Sequence, residues 1–352
     1  MQAVRKGRGA ASNRSGRYER ERPEAFDDGW GTADETPPPL RTSVVEETPR
    51  SIVSKNDSPD LGFDRSINPY RGCEHGCIYC YARPTHAWLG LSPGLDFESR
   101  LFAKPTAPEL LEKELARPDY RCQVLAIGTN TDAYQPIERR YEVMRGLLEV
   151  LARCRHPVSI TTKSALVLRD RDLLADMARE NLAHVTMSIT TLDRRLARSM
   201  EPRASAPGRR LEAVTGLRDA GVPVSVNFAP IIPALNDHEM EAVLEAARKA
   251  GACGAGYTLL RLPLEIADLF REWLEAHAPD RAARVLSRVR DMRGGPLYKS
   301  AFHVRMKGEG AYAEMISKRF AIACRRLGLE RGYGVLDETR FRPPGGQLRF
   351  DL

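Results

Sequence analysis

No run of apolar residues in this chain approaches the roughly 20 that a membrane-crossing helix requires, so nothing in it reads as a helical span. The N-terminus is basic and polar and lacks the apolar stretch of a secretory signal, which makes the cytoplasm the expected compartment. A repeat of fixed period is also missing, and that argues against solenoid and propeller architectures. Nor do the cysteines come in matched sets. Seven is an odd number, and three of them crowd into residues 73–80. In a reducing compartment such crowding points to metal or cluster ligation rather than to cross-links.

What the chain does hold is ordinary for a soluble globular protein: 42% hydrophobic and 29% charged residues over 352 positions. That length accommodates one large α/β domain with appendages, or two ordinary domains. The net charge of +7 permits attraction to a polyanion without specifying one. Much of it sits at the start, where Arg5, Lys6, Arg8, Arg14, Arg17, Arg20 and Arg22 face only Glu19 and Glu21. Residues 1–50 show no hydrophobic period and include Pro37, Pro38 and Pro39, so they read as a disordered tail. Its basic half is either a nucleic-acid contact acting by counterion release or a solubilising extension.

From about residue 66, short β-rich runs alternate with amphipathic helical stretches. Strands are expected over 123–128, 157–162, 183–190, 222–229 and 256–260. Helices are expected over 107–115, 137–154, 165–180, 209–220, 238–250 and 266–276. Val143, Met144, Leu147, Leu148 and Leu151 trace one face of the second of these. Alternation of this kind gives an α/β fold with right-handed crossovers and a parallel sheet, as a barrel or doubly wound. Past Asp280 the pattern turns to arginine-rich helices over 282–292 and 313–327, around the loop Gly294-Gly295-Pro296. Beyond Arg340, Pro343, Pro344, Gly345 and Gly346 predict an irregular end.

The strongest local signal is the stretch 68–81, where Cys73, Cys77 and Cys80 are spaced C-x3-C-x2-C with Tyr79 directly before the third. Such a loop can wrap three thiolates around one iron-sulfur cubane, which normally takes four, leaving one iron open to a ligand. Gly72 and Gly76 allow tight turns beside it, and Tyr79 shields one side from water. A zinc site completed by His75 or Cys122 is the competing reading, but zinc modules usually show a second paired arm, and none is present. Cys122, Cys154, Cys253 and Cys324 are scattered and read first as small buried hydrophobes.

With that aromatic, ahead of alternating βα units, the motif resembles the radical S-adenosylmethionine (SAM) superfamily. The resemblance implies a partial (β/α)6 TIM-like barrel over residues 55–265, a C-terminal helical extension over 266–352 and the tail over 1–50. It implies a [4Fe-4S] cluster on Cys73, Cys77 and Cys80, with S-adenosylmethionine on the open iron. An electron then cleaves the cofactor to a radical that abstracts hydrogen from substrate, so the protein's task is to position the reactants and exclude water.

In such barrels the cofactor lies along the C-terminal strand ends. The family's Gly-Gly-Glu-like segment after the second strand is missing. In its place stand Thr129, Asn130 and Asp132, which either substitute for it or cap the next helix. Lys163 is read as pairing with the cofactor carboxylate or a substrate phosphate, or as a solvated loop lysine. The resemblance assigns Ser188 and Arg203 to ribose and carboxylate contacts, and Ile232 to the apolar turn against adenine. Asn236 is read in that turn and as a helix cap. No catalytic residue is assigned, and His75 and His303 stay unassigned, since an isolated histidine is more often structural than catalytic.

The longer signature, in 68–83, 131–138 and 229–237, resembles a bacterial group of radical SAM proteins related to spore photoproduct lyase. That enzyme splits a thymine dimer and returns hydrogen from a cysteine in a Cys-Thr-Ser-Asp-like segment. Here Thr129-Asn130-Thr131-Asp132 puts threonine at that point, and its O–H bond is too strong for the role. The kinship nonetheless implies nucleic acid as a substrate class, and a reductase, flavodoxin or ferredoxin-type electron donor, with no membrane partner. Two alternatives stay open: a protein or small-molecule substrate, and a non-catalytic iron-sulfur or zinc module binding nucleic acid.

Overall fold

In the computed structural model, residues 6–19, 40–331 and 334–345 are described. Eleven strands are present among them: β1 (Ser43–Glu46), β2 (Val53–Lys55), β3 (Arg65–Ile67), β4 (Tyr70–Arg71), β5 (Arg100–Ala103), β6 (Leu125–Ile127), β7 (Val158–Thr162), β8 (Ala183–Ser188), β9 (Val224–Ile231), β10 (Gly254–Leu259) and β11 (Glu330–Arg331). Eight form one sheet in the order β11-β10-β9-β8-β7-β6-β3-β2, parallel from β3 through β11, with β2 antiparallel at its edge. The six neighbours β3, β6, β7, β8, β9 and β10 are the staves of a partial (β/α)6 barrel. β8 is buried along its whole length, as a strand sandwiched between barrel interior and helices must be.

Helices follow the strands: α1 (Leu95–Ser99), α2 (Ala107–Leu115), α3 (Glu138–Tyr141), α4 (Val143–Arg153), α5 (Arg171–Arg179), α6 (Arg194–Met200), α7 (Pro207–Asp219), α8 (Met240–Ala250), α9 (Ile266–His277), α10 (Pro279–Asp291) and α11 (Gly310–Leu327). The single helix expected over 137–154 is two, because Glu142 adopts a left-handed φ of 50° between α3 and α4. The one expected over 165–180 opens as a 3-10 turn (Ala165–Asp170), capped by the Ser164 hydroxyl accepting from the Leu166 amide, before α5 begins. In the C-terminal region α10 packs on α9 and α11 on α8, and β11 returns to pair with β10.

A second, three-stranded sheet in the order β1-β5-β4 stands beside the cysteine loop. Of the tail read as disordered, residues 1–5 and 20–39, with Pro37 to Pro39, lie outside the described residues. The described stretches behave differently: 43–46 supplies β1, and Arg8, Ala10 and Ser12 are buried. Hydrophobic period is not what docks this segment; backbone amides and one guanidinium do. No helix among the described residues is long and apolar enough to cross a membrane.

Candidate functional site

The cysteine loop runs from β4 into a 3-10 helix (Arg83–Leu89) and is held from every side. Gly72 and Gly76 both take left-handed φ, 72° and 67°. A Cβ on Gly72 would sit 2.7 Å from Leu101 and 2.9 Å from His86, so the turn admits glycine only. The fully buried Arg83 gathers the loop's carbonyls, with Nε donating to Cys77 O (2.9 Å) and Nη2 to Gly76 O (3.0 Å). Its charge is met by the equally buried Glu98 at 2.6 Å. Glu98 in turn accepts from the backbone amides of Gly9 (2.9 Å) and Ala10 (2.8 Å), which lays the N-terminal segment directly on the loop. On another side, Gln135 accepts from the Glu74 amide (2.8 Å) and donates to Gly72 O (3.1 Å).

Cys73 and Cys77 are buried and Cys80 is half-buried; none is in a disulfide. Burial raises both buried thiols, Cys73 well above its usual value with help from Asp132, and Cys77 to about 12. Two thiols gathered where water cannot solvate their anions, with a third beside them on the same short loop, fit a centre that supplies the countercharge. Among the described residues, no three His, Cys, Asp or Glu side chains converge on one point as ligands of a single metal ion. A cubane places its irons at separate corners, and the donor set of one short loop of three cysteines fits it.

Tyr79, the aromatic before the third cysteine, is buried with its hydroxyl 3.0 Å from Thr190 Oγ1 and donating to Glu201. Glu201 also receives the Thr190 hydroxyl and forms a buried ion pair with Arg210, whose Nη1 donates to Ser188 O at 3.0 Å. Burial alone would raise the Glu201 carboxyl, but Arg210 and Lys163 overcome it and hold the group below its usual value. Burial and the Glu201 charge push the Tyr79 phenol far up, so it stays protonated and donates. The Lys163 ammonium lies 5.9 Å from the Tyr79 ring centroid; burial would lower its pKa, but the Cys77 and Glu201 charges raise it on balance.

The strand-end residues divide on inspection. Asp132 is no free ligand. Its carboxylate accepts from Thr162 Oγ1 (2.7 Å), the Tyr134 amide (2.9 Å) and the Lys163 amide (2.7 Å), and lies 3.4 Å from His75 Nδ1. Against the upward pull of burial, His75 is the main cause holding it well below the usual carboxylate range. Thr129 offers its carbonyl to the Tyr81 hydroxyl, and the Asn130 amide donates to Asn68 Oδ1 at 3.0 Å. Ser188 is buried at the end of β8, beside Asn227 of β9. Arg203 is committed to Glu74 and Thr42, bracing the cysteine loop rather than facing the barrel axis alone. Asn236 is fully used by backbone groups of its own turn and of the β8 end: Oδ1 accepts from the Ile232 amide (2.6 Å), and Nδ2 donates to Thr190 O (2.7 Å) and Pro230 O (3.0 Å). That turn presents Ile232 to an apolar cluster shared with Cys77, Ile78 and Tyr79.

The geometry therefore brings Tyr79, Lys163, Ser188 and Ile232 to the cysteine side of the strand ends, and turns Asp132, Arg203 and Asn236 into supports. Glu201, Arg210, Arg83, Glu98 and Gln135 are the supports that sequence reading missed. Their partners, from 6 residues away for Arg83 and Cys77 to 122 for Glu201 and Tyr79, become visible only in the fold. Farther out, Tyr81 is 45% exposed, with the Arg261 guanidinium 5.0 Å from its ring centroid and 6.0 Å from that of Tyr298.

A family model described as the Radical SAM superfamily matches residues 67–247. An uncharacterized protein of Mycobacterium tuberculosis is 36% identical over 264 residues, 74% of each chain. Another, of Methanocaldococcus jannaschii, is 32% identical over 174 residues, 49% of this chain and 62% of its own. Among solved structures, spore photoproduct lyase complexed with dinucleoside spore photoproduct superposes with a TM-score of 0.61 at 14% identity, over 82% of this chain and 81% of that one. A mutant of the same lyase with bound AdoMet and dinucleoside spore photoproduct gives 0.60 at 14% identity, over 83% and 82%. At such identity the likeness is one of fold.

Proposed function

The chain belongs to the radical SAM superfamily, an enzyme family that uses a [4Fe-4S] cluster and S-adenosylmethionine, and from that membership we propose that it abstracts hydrogen from a nucleic acid held at the barrel mouth. When bound, the cluster and cofactor supply the hydrogen-abstracting radical. Cys73, Cys77 and Cys80 are the thiolates that hold the cluster, and Arg83, Glu98 and Gln135 fix the loop that carries them. Tyr79, kept protonated against Glu201, walls one side and Ile232 another, so both exclude water. Lys163, held beside the Tyr79 ring, would pair with the cofactor carboxylate or a substrate phosphate.

The observation that carries the substrate class is the pairing of Tyr81 with Arg261. An exposed aromatic directly after the third cluster cysteine, backed by a guanidinium, offers a stacking face and an anion contact at once, which suits a base and its phosphate. Thr129 stands where a lyase of this kind would place its hydrogen-returning cysteine, so the reaction we read here does not return hydrogen from that segment. A flavodoxin or ferredoxin-type protein is the expected reductant.

The test is anaerobic reconstitution with iron and sulfide, then dithionite reduction with S-adenosylmethionine and chromatography for 5'-deoxyadenosine. About four irons per chain, nucleoside in wild type and none in Cys77→Ala support the radical reading. One zinc and an intact cofactor overturn it. Nucleoside formation indifferent to any DNA or RNA overturns the substrate class alone and leaves a protein or small molecule as substrate.

A further inference from the structure

The C-terminal extension forms a cleft on the rim of the barrel. About 510 Å³ in volume, it is lined by Ala234, Asp237, Arg281, Arg284, Arg288 and Tyr312, among others. One wall is the turn after β9, the same turn whose Ile232 packs with Cys77 and Tyr79, so the cleft backs onto the cluster pocket. The opposite wall is α10. Val285, Leu286 and Val289 bury its inner face in the cluster that includes Phe270 and Trp273 of α9, which turns Arg281, Arg284 and Arg288 outward on the other.

This arginine row is not a neutralised surface. Arg281 and Arg284 make no side-chain ion pair or hydrogen bond to the described residues. Arg288 lies 3.5 Å from Asp291 and stacks 5.3 Å from the Tyr312 ring centroid. Of the two carboxylates in the lining, Asp237 accepts the Tyr312 hydroxyl and thereby fixes the ring under Arg288. With Arg288 answered by Asp291, and Asp237 facing the Arg319 charge, Arg281 and Arg284 stand against Asp280 alone, which leaves the cleft positive. At 1.5 Å per residue the row extends about 10 Å along the helix, the length of a few nucleotides at about 3.4 Å each. Arginine suits such a track because its planar fork grips phosphate oxygens in pairs.

We infer that Arg281, Arg284 and Arg288 form a phosphate-backbone track that leads a nucleic acid strand along the rim to the barrel mouth. The inference rests on the nucleic-acid reading above and adds the surface that holds the strand.

The experiment is fluorescence anisotropy of a fluorescein-labelled single-stranded oligonucleotide with the full-length protein at a series of salt concentrations. It compares wild type, Arg281→Gln/Arg284→Gln, and a charge-matched control, Arg179→Gln/Arg209→Gln, whose arginines are 74% and 70% exposed and paired within their own helices. Losing two phosphate contacts should flatten the slope of log K against log salt by about 1.4, equivalent to roughly 25-fold weaker binding at 0.1 M relative to 1 M salt. The control should keep the wild-type slope. Equal slopes in all three proteins, or equal losses in both variants, overturn the track while leaving the substrate class standing. Absence of salt-dependent binding by wild type to any DNA or RNA overturns both.

Discussion

Replacing Arg83 with methionine should unseat the cysteine loop. The guanidinium serves five acceptors: Cys77 O at 2.9 Å, Gly76 O at 3.0 Å, Pro93 O at 3.1 Å, Gly94 O at 2.9 Å and Glu98 Oε1 at 2.6 Å. Methionine fills similar space and donates to none of them. Removing one partner of a buried ion pair costs about 3–5 kcal/mol, and each stranded carbonyl adds to the burden. Glu98 keeps the Gly9 and Ala10 amides, which offsets part of this. The expected loss is therefore about 3–5 kcal/mol, a large share of the roughly 5–15 kcal/mol that holds a typical domain folded. With a urea m-value near 3 kcal/mol/M, the unfolding midpoint should fall by about 1–1.7 M. Iron retained after anaerobic reconstitution should fall with it. Arg83→Met/Glu98→Gln should recover part of the midpoint, because the stranded charge is gone. Wild-type iron content together with a midpoint shift under about 0.3 M in Arg83→Met would refute the bracing argument.

Two further outcomes follow from the same reasoning. Gly9→Val would put a Cβ 1.8 Å from Gly76 O; we expect an overpacking cost of at least about 1–3 kcal/mol and loss of iron, and an unaltered iron content would show that the segment does not touch the loop. His156 is buried between Tyr120 and Phe341, accepts or donates to the Tyr120 hydroxyl at 2.9 Å, and is held by burial down to about 4. Its folded value lies below the unfolded value of about 6.5, so the unfolded chain binds the extra proton and stability falls as pH drops from about 6.5 toward 4. Between pH 7 and pH 5 this one group should remove about 2 kcal/mol. Urea midpoints at the two pH values should draw closer together in His156→Gln; an unchanged gap assigns the loss to other groups.

The barrel was legible because its staves are buried in whole or in large part. Runs such as 158–162 and 183–188 are mostly apolar or β-branched and flanked by helical periods, and the structure places strands there. β3 escaped notice for the opposite reason: three residues, Arg65–Ile67, carry too little pattern to declare a strand, and its neighbour β6 supplies the pairing. The cysteine spacing is local and so is visible. The network behind it is not, since Tyr79 and Glu201 stand 122 residues apart and a carboxylate before a proline says nothing of a phenol it will meet in the fold. Asn236 shows the reverse error. The sequence offers it in the adenine turn and as a helix cap, but its side chain makes no cap hydrogen bond and is spent on backbone groups of its own turn and of Thr190.

The docking of Gly9 and Ala10 on Glu98 also sets an order of events during synthesis. Those amides leave the ribosome 89 and 88 residues ahead of the carboxylate they bind. At roughly 5–20 residues per second, they wait about 4–18 s without their partner. The three cysteines emerge inside that interval, before Glu98 exists to close the loop from behind. Closure of this side of the cysteine loop thus waits on Glu98, and any delay in reaching position 98 prolongs the time that the N-terminal segment stays undocked beside three unligated thiols.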